Sequence, residues 1–217
     1  MELKQMVVGV MEVFCYIVVC EKTGECVVID PAGDEEKIFA EIRNSGLSLK
    51  YIVNTHGHAD HTCGNAKMKA LTGAPIVMHA LDDEFFRRPE NVAWAKQMGF
   101  DPSPPADLAV EDGYILKFGE LEMEFIHTPG HTPGSCCLKV DNNLFTGDTL
   151  FVGAVGRTDL PGASFEQLLK SIETKIITLP PETLILPGHD YGDQPTSTIK
   201  REMETNPYIT DFILDEE

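Results

Sequence analysis

Apolar positions along the chain follow two periods. Residues 13–19 (VFCYIVV) and 26–30 (CVVID) are near-continuous apolar runs of strand length, parted by Glu21-Lys22-Thr23-Gly24. Thr23-Gly24 between such runs is a hairpin signal, and Pro31-Ala32-Gly33 ends the second run. Residues 34–46 (DEEKIFAEIRNSG) then switch to helical spacing, with Ile38, Phe39 and Ile42 on one face. Acids in the first turn and a glycine after the last apolar residue suit a helix from start to stop. A short buried strand is expected at 49–55 (LKYIVNT), a helix at 65–73, a strand at 74–79 and a helix over 82–99 broken at Pro89. Residues 101–105 (DPSPP) read as a loop, either a mobile rim or a plain connector. Further strands are expected at 114–119, 121–128, 135–140 and 143–148, a helix at 165–176, and a last strand running from Glu182 into the loop ending at Gly192.

This order predicts two sheets packed face to face with helices outside, since each sheet must bury its apolar faces. No linker divides the 217 residues, so a single domain over 1–217 is expected. The opening MELKQMVVGVMEVF contains an acidic residue and no small-residue cleavage site, and reads as a first strand, not a signal peptide. No window reaches the ~18 apolar residues of a membrane span, and the expected location is cytoplasmic. The formal charge of −18, with no Lys/Arg run, argues against nucleic acid as a partner. The six cysteines form no CxxC pair; they read as small packing residues, except Cys63, which follows a histidine cluster and is expected at a site rim.

That cluster is His56-Gly57-His58-Ala59-Asp60-His61. Two histidines two residues apart in extended chain project to the same side and can grip one metal ion. Asp60 and His61 follow as the chain turns toward a helix, and so face a neighbouring volume. Further donors lie at His131 in HTPGHTPG, Asp148 in FTGDT and His189 in LPGHD. Each ends a strand and begins a loop, where a rigid scaffold can aim a ligand at a shared cleft.

The order HxHxDH, then His131, Asp148 and His189, resembles the metallo-β-lactamase superfamily over nearly the whole chain. GDTLF (147–151), GRTDLPG (156–162), PGHDYG (187–192) and the 195–207 tail resemble its hydroxyacylglutathione hydrolase (glyoxalase II) branch and short bacterial relatives. The resemblance implies an α/β fold, a four-layer αββα sandwich with the site along one edge. It implies two divalent ions, zinc first, with iron and manganese as alternatives. Metal one would take His56, His58 and His131; metal two Asp60, His61 and His189; Asp148 would bridge them. Asp60 and Asp148 would be the catalytic carboxylates, and a metal-bridging hydroxide the nucleophile attacking a small-molecule thioester. Bound water at such a site falls to a pKa of about 7, and paired ions ~3.5–4 Å apart stabilise attacking and departing atoms.

The glutathione contacts of that branch are largely missing. Only a short tail follows His189, and Val155, Gly156 and Arg157 stand where a Lys and Tyr pair is usual. The alternative implied by the same motifs is a persulfide dioxygenase with one iron on His56, His131 and Asp148, a facial triad with open positions. PGHDYG and the tail favour the hydrolase. Flavodiiron proteins, with Glu in place of His58, and secreted β-lactamases, with Cys in place of Asp148, fit less well.

Around the donors, Arg157 is a candidate for binding a substrate carboxylate, or for a loop salt bridge with Asp159. Asp30 reads as a turn former or as a partner orienting a ligand histidine. Tyr191 reads as a cleft hydrogen bonder or a packing residue. His79 and His127 read as ordinary packed or surface histidines, and Phe85, Phe86 and Trp94 as core. Oligomeric state is not legible.

Overall fold

The computed structural model describes residues 1–215, so the last two residues of the expected 1–217 unit lie outside the described residues. The first half of the chain runs β1 (Glu2–Val8), β2 (Val13–Val19), β3 (Glu25–Ile29), α1 (Glu35–Asn44), β4 (Ser48–Val53), α2 (Ala59–Thr62), α3 (Asn65–Thr72), β5 (Ile76–His79), α4 (Ala80–Phe86), α5 (Pro89–Gln97) and β6 (Leu108–Val110). The second runs β7 (Ile115–Phe118), β8 (Leu121–His127), β9 (Cys136–Val140), β10 (Asn143–Gly147), β11 (Leu150–Phe151), β12 (Ala154–Val155), α6 (Phe165–Ser171), β13 (Leu184–Pro187), β14 (Ser197–Thr198), α7 (Ile199–Thr205) and α8 (Pro207–Ile209).

Strand β2 is buried at every residue because both its faces are covered. Phe14, Tyr16 and Val18 point into a core shared with Phe118, Met123, Phe125, Leu138 and Phe145 of the other sheet. Cys15, Ile17 and Val19 point the other way, against Ile38 and Ile42 of α1 and Met68 of α3. The second sheet does the same, with Cys137, Leu144 and Ile185 packed under Leu168, Ile199 and Ile209 of α6, α7 and α8. Burial on both faces explains why these strands read as apolar runs instead of alternating ones. The result is the expected αββα sandwich.

The sheets are ordered β1-β2-β3-β4-β5-β6 and β14-β13-β10-β9-β8-β7, with β11 and β12 as a separate hairpin. Strands β3, β4, β5 and β6 run parallel, as do β10 and β13. The loops after β4, β8, β10 and β13 therefore gather along one edge, and they are the loops that carry the histidines and aspartates.

Two local expectations are corrected, and four short strands add to the expected ones. The opening stretch is not one strand: Gly9 and Glu12 take left-handed φ values of 70° and 54°, which turn β1 back into β2. The expected helix 165–176 widens after Ser171 into a π-helical turn over Ile172–Ile176. Strands β6, β11, β12 and β14 have only two or three residues each, too short for a periodic signal. The helix break before Pro89 is as expected: α4 stops at Phe86 and α5 takes Pro89 in its first turn, where a missing N–H costs nothing.

Candidate metal centre

His56 and His58 leave β4 in extended chain, and His61 follows on the short α2. His56, His58 and His131 bring one ligand atom each within 4.8 Å of one another, and so do Asp60, His61 and His189. All five histidines are buried. In the first group, His58 Nδ1 faces His131 Nε2 at 2.9 Å. In the second, His61 Nε2 faces His189 Nε2 at 3.2 Å. Asp148 lies between the groups, with Oδ1 3.4 Å from His61 Nε2 and Oδ2 3.6 Å and 3.7 Å from His131 and His189 Nε2.

The outer atoms of three of these rings are already engaged, which fixes the inner ones. His131 Nδ1 donates to the Arg157 carbonyl at 2.8 Å. His61 Nδ1 contacts Asp30 Oδ2 at 3.0 Å, and His56 Nδ1 lies 3.0 Å from Thr55 Oγ1. Asp30 also accepts from Thr55 N and Oγ1 at 2.9 Å and 2.6 Å. Both readings of Asp30 therefore hold: it turns the chain at φ 49° and it orients His61. Geometry alone would also group Asp30 with His56 and His61 as donors, but its oxygens are spent on Thr55 and His61.

The His189 loop is held from the opposite sheet. Tyr16 Oη donates to the Pro187 carbonyl at 2.7 Å and Phe14 N to that of Gly188 at 2.8 Å. Gly188 must be bare, because a Cβ there would lie 2.4 Å from Asp148 Oδ1 and 2.9 Å from His61 Cε1.

The donor set suits divalent cations. His56 Nε2 and Asp148 Oδ1 are buried with no hydrogen-bond partner, and such orphans are costly unless something else satisfies them. Burial keeps His56 and His58 well below the usual imidazole range, so both present lone pairs at neutral pH. His189 is lowered by burial as well. His61 differs: burial opposes its charge, but Asp148, Asp60 and Asp30 outweigh that and push it up to about 10. Imidazole with carboxylate suits zinc, iron and manganese alike, so the chain carries donors for a binuclear centre of unspecified metal.

Beside Asp148 lies a cavity of about 420 Å³ lined by Phe151, Arg157, Phe165, Tyr191 and Tyr208, among others. Arg157 binds Asp159 through two bonds of 2.7 Å, both side chains being exposed. Tyr191 stacks on His189 with centroids 5.0 Å apart, the packing reading of the two. Phe86 and Trp94 are not core: the Phe86 ring lies 5.1 Å from that of His58, Trp94 lies 6.5 Å away, and both line a small cavity closed by Pro102, Ser103 and Pro104. Large apolar side chains expected in the core here wall the site. The 101–105 loop is tied to α3 by Asn65 donating to Ser103 Oγ at 2.9 Å. Cys63 is half-buried on a third cavity with Val10 and Phe100, and all six cysteines are free. His79 and His127 stack on each other outside both donor groups. Among the described residues no helix is long and apolar enough to cross a membrane.

The sequence pattern of the metallo-beta-lactamase superfamily matches residues 8–189. The chain is 34% identical to the persulfide dioxygenase ETHE1 of Homo sapiens over 96% of this chain and 76% of that one. It is 34% identical to the hydroxyacylglutathione hydrolase GloC of Haemophilus influenzae over 84% of this chain and 86% of that one. Among solved structures it is similar to the BLEG-1 B3 metallo-beta-lactamase (TM-score 0.87, 31% identity, 96% of this chain and 100% of that one). ETHE1 from Myxococcus xanthus superposes with a TM-score of 0.83 at 28% identity, over 97% and 85% of the two chains. TTHA1623, solved in a di-iron-bound form, gives 0.82 at 32% identity, over 94% and 99%. Fold, donor geometry and these likenesses agree: the chain belongs to the metallo-beta-lactamase superfamily, as a metal-dependent hydrolytic or oxidative enzyme with two assembled groups of metal donors.

Proposed function

We propose that this chain oxidises a small-molecule persulfide with one iron held by His56, His131 and Asp148, and that residues 1–217 act as one domain. The observation that carries the reading is the reach of the likeness to the human persulfide dioxygenase, 96% of the chain against 84% for GloC. This reverses the preference drawn from PGHDYG and the tail, since the likeness to the dioxygenase extends across that region too.

The hydrogen bonding leaves atoms of the same three donors open to an ion. The two orphaned atoms at the centre, His56 Nε2 and Asp148 Oδ1, belong to two of them. The third, His131, has its Nδ1 committed to the Arg157 carbonyl, which leaves Nε2 for the ion. When bound, iron in a triad with open positions supplies the one-electron chemistry that oxygen needs. The protein's own part is to hold those donors dry and fixed and to seat the substrate in the aromatic-walled cavity beside Asp148, with Arg157 at its wall.

A second reading, thioester hydrolysis with both ions, is favoured by the second donor group being fully assembled. There Asp60 and Asp148 would serve as the catalytic carboxylates and Arg157 would meet a substrate carboxylate. Metal content per chain, measured with oxygen uptake on a persulfide and with hydrolysis of a thioester panel, separates the two. About one iron and persulfide-dependent oxygen uptake are expected. Two ions with thioester turnover and no oxygen uptake would replace the first reading with the second.

A further inference from the structure

Asp82, at the start of α4, belongs to neither donor group, yet it is fully enclosed. Its Oδ2 accepts from Gly57 N at 2.7 Å and from Thr132 Oγ1 at 2.7 Å, and its Oδ1 from Gly134 N at 2.6 Å. All three donors lie in ligand loops. Gly57 sits between His56 and His58, and Thr132 and Gly134 come just after His131. No lysine or arginine pairs with this carboxylate among the described residues. Burial pushes its acid up to about 6 even though all three hydrogen bonds favour the charged form. A buried carboxylate is a costly way to fill space, and an apolar side chain would do that better.

What an apolar residue could not do is join the two loops. We propose that Asp82 is a positioning residue that clamps the loop of His56 and His58 to the loop of His131, and so sets the spacing of the first donor group. The seat is built for it: a Cβ on Gly134 would lie 2.5 Å from Asp82 N and 2.8 Å from its Oδ1. Asp82 makes no hydrogen bond to Asp60, His61 or His189, so its influence is confined to one group. Thr132 Oγ1 also lies 2.6 Å from Ser135 Oγ, which braces the far side of the clamp. The inference rests on His56 and His131 holding one ion, which the dioxygenase and hydrolase readings share.

The test is a cobalt titration of the metal-free chain, read by visible absorbance with a competing chelator. His131→Ala identifies the spectrum of the ion in the first group by abolishing it. Asp82→Asn keeps the volume but turns an amide N–H toward backbone or hydroxyl donors. It should weaken that same ion by about 10–100-fold, the usual cost of losing an outer partner, and leave any second ion within about twofold. Thr132→Val removes one of the three bonds and should fall between wild type and Asp82→Asn, while Thr132→Ser should restore wild-type affinity. The valine variant also decides the matter if Asp82→Asn does not fold. Wild-type affinity in both Asp82→Asn and Thr132→Val, or equal weakening of both ions, would overturn the clamp. If His131→Ala itself left every ion in place, the donor grouping would be at fault instead.

Discussion

The two donor groups share one cleft but are built on opposite electrostatic plans. The first is three buried histidines, and burial keeps His56 and His58 uncharged. Its loops are joined by an uncoordinated carboxylate, Asp82, set back from the ligands. The second mixes histidine with carboxylate, and in the metal-free chain its His61 is held charged by Asp148, Asp60 and Asp30. Its loop is tied to the opposite sheet through Tyr16 and Phe14. The difference teaches that His56 and His58 of the first group are open to a cation as they stand, whereas the second group stores a proton that a cation must displace.

Asp148 reaches donors of both groups with its two carboxylate oxygens, so its loss should have the largest effect. Asp148→Ala is expected to lower the affinity for every ion and to cut turnover by more than the ~10–100-fold typical of an outer partner. Metal content by mass spectrometry checks it. Retention of a full complement of ions would mean the two groups do not share this carboxylate. Next comes Gly188→Ala, whose new Cβ would press on Asp148 Oδ1 and His61 Cε1. It should weaken the second ion more than the first, by roughly tenfold or beyond. Equal losses in a two-phase metal titration would erase the comparison.

How much of this was legible follows from the kind of signal each residue leaves. His56, His58, His61, His131 and His189 stand at strand ends among glycines and prolines, and that setting marks them as candidate donors in the sequence. The covered faces of β2 and β3 announced themselves as unbroken apolar runs. Asp82 left no such trace, because two acids at the start of a helix, Asp82 and Asp83, read as ordinary dipole partners. Phe86 and Trp94 read as core because they are large and apolar, and only the tertiary fold brings their rings to His58. Arg157 was read by its side chain, whereas its backbone carbonyl is what orients His131. Partners joined across loops far apart in sequence are not visible in a single chain read along its length.

The stored proton can be counted. His61 lies above its ordinary value of 6.5, at about 10. In the metal-free chain its attraction to the carboxylates is therefore fully present below about pH 6.5 and fades as pH rises through about 10. An ion entering the second group must release that proton, so its apparent affinity should rise about tenfold per pH unit across that window. An ion entering the first group meets neutral His56 and His58 and should show little pH dependence above neutrality. Calorimetry in two buffers of different ionisation enthalpy measures the protons released by each ion. Equal counts at both would show that the electrostatic contrast is not realised.

The smallest effect is expected at the rim, where Arg157 and Asp159 form a bidentate pair that is open to solvent on both sides. Pairs of this kind contribute little, because water screens the attraction and two long side chains must be held still. Asp159→Asn should therefore leave the melting temperature unchanged. It also frees the guanidinium at the wall of the cavity beside Asp148. If Arg157 meets a carboxylate on the substrate, the variant should lower KM for a carboxylate-bearing substrate by a few-fold with kcat unaltered, and leave a neutral analogue untouched. A KM unmoved for both would return Arg157 to a purely backbone role, holding His131 through its carbonyl and taking no part in choosing the substrate.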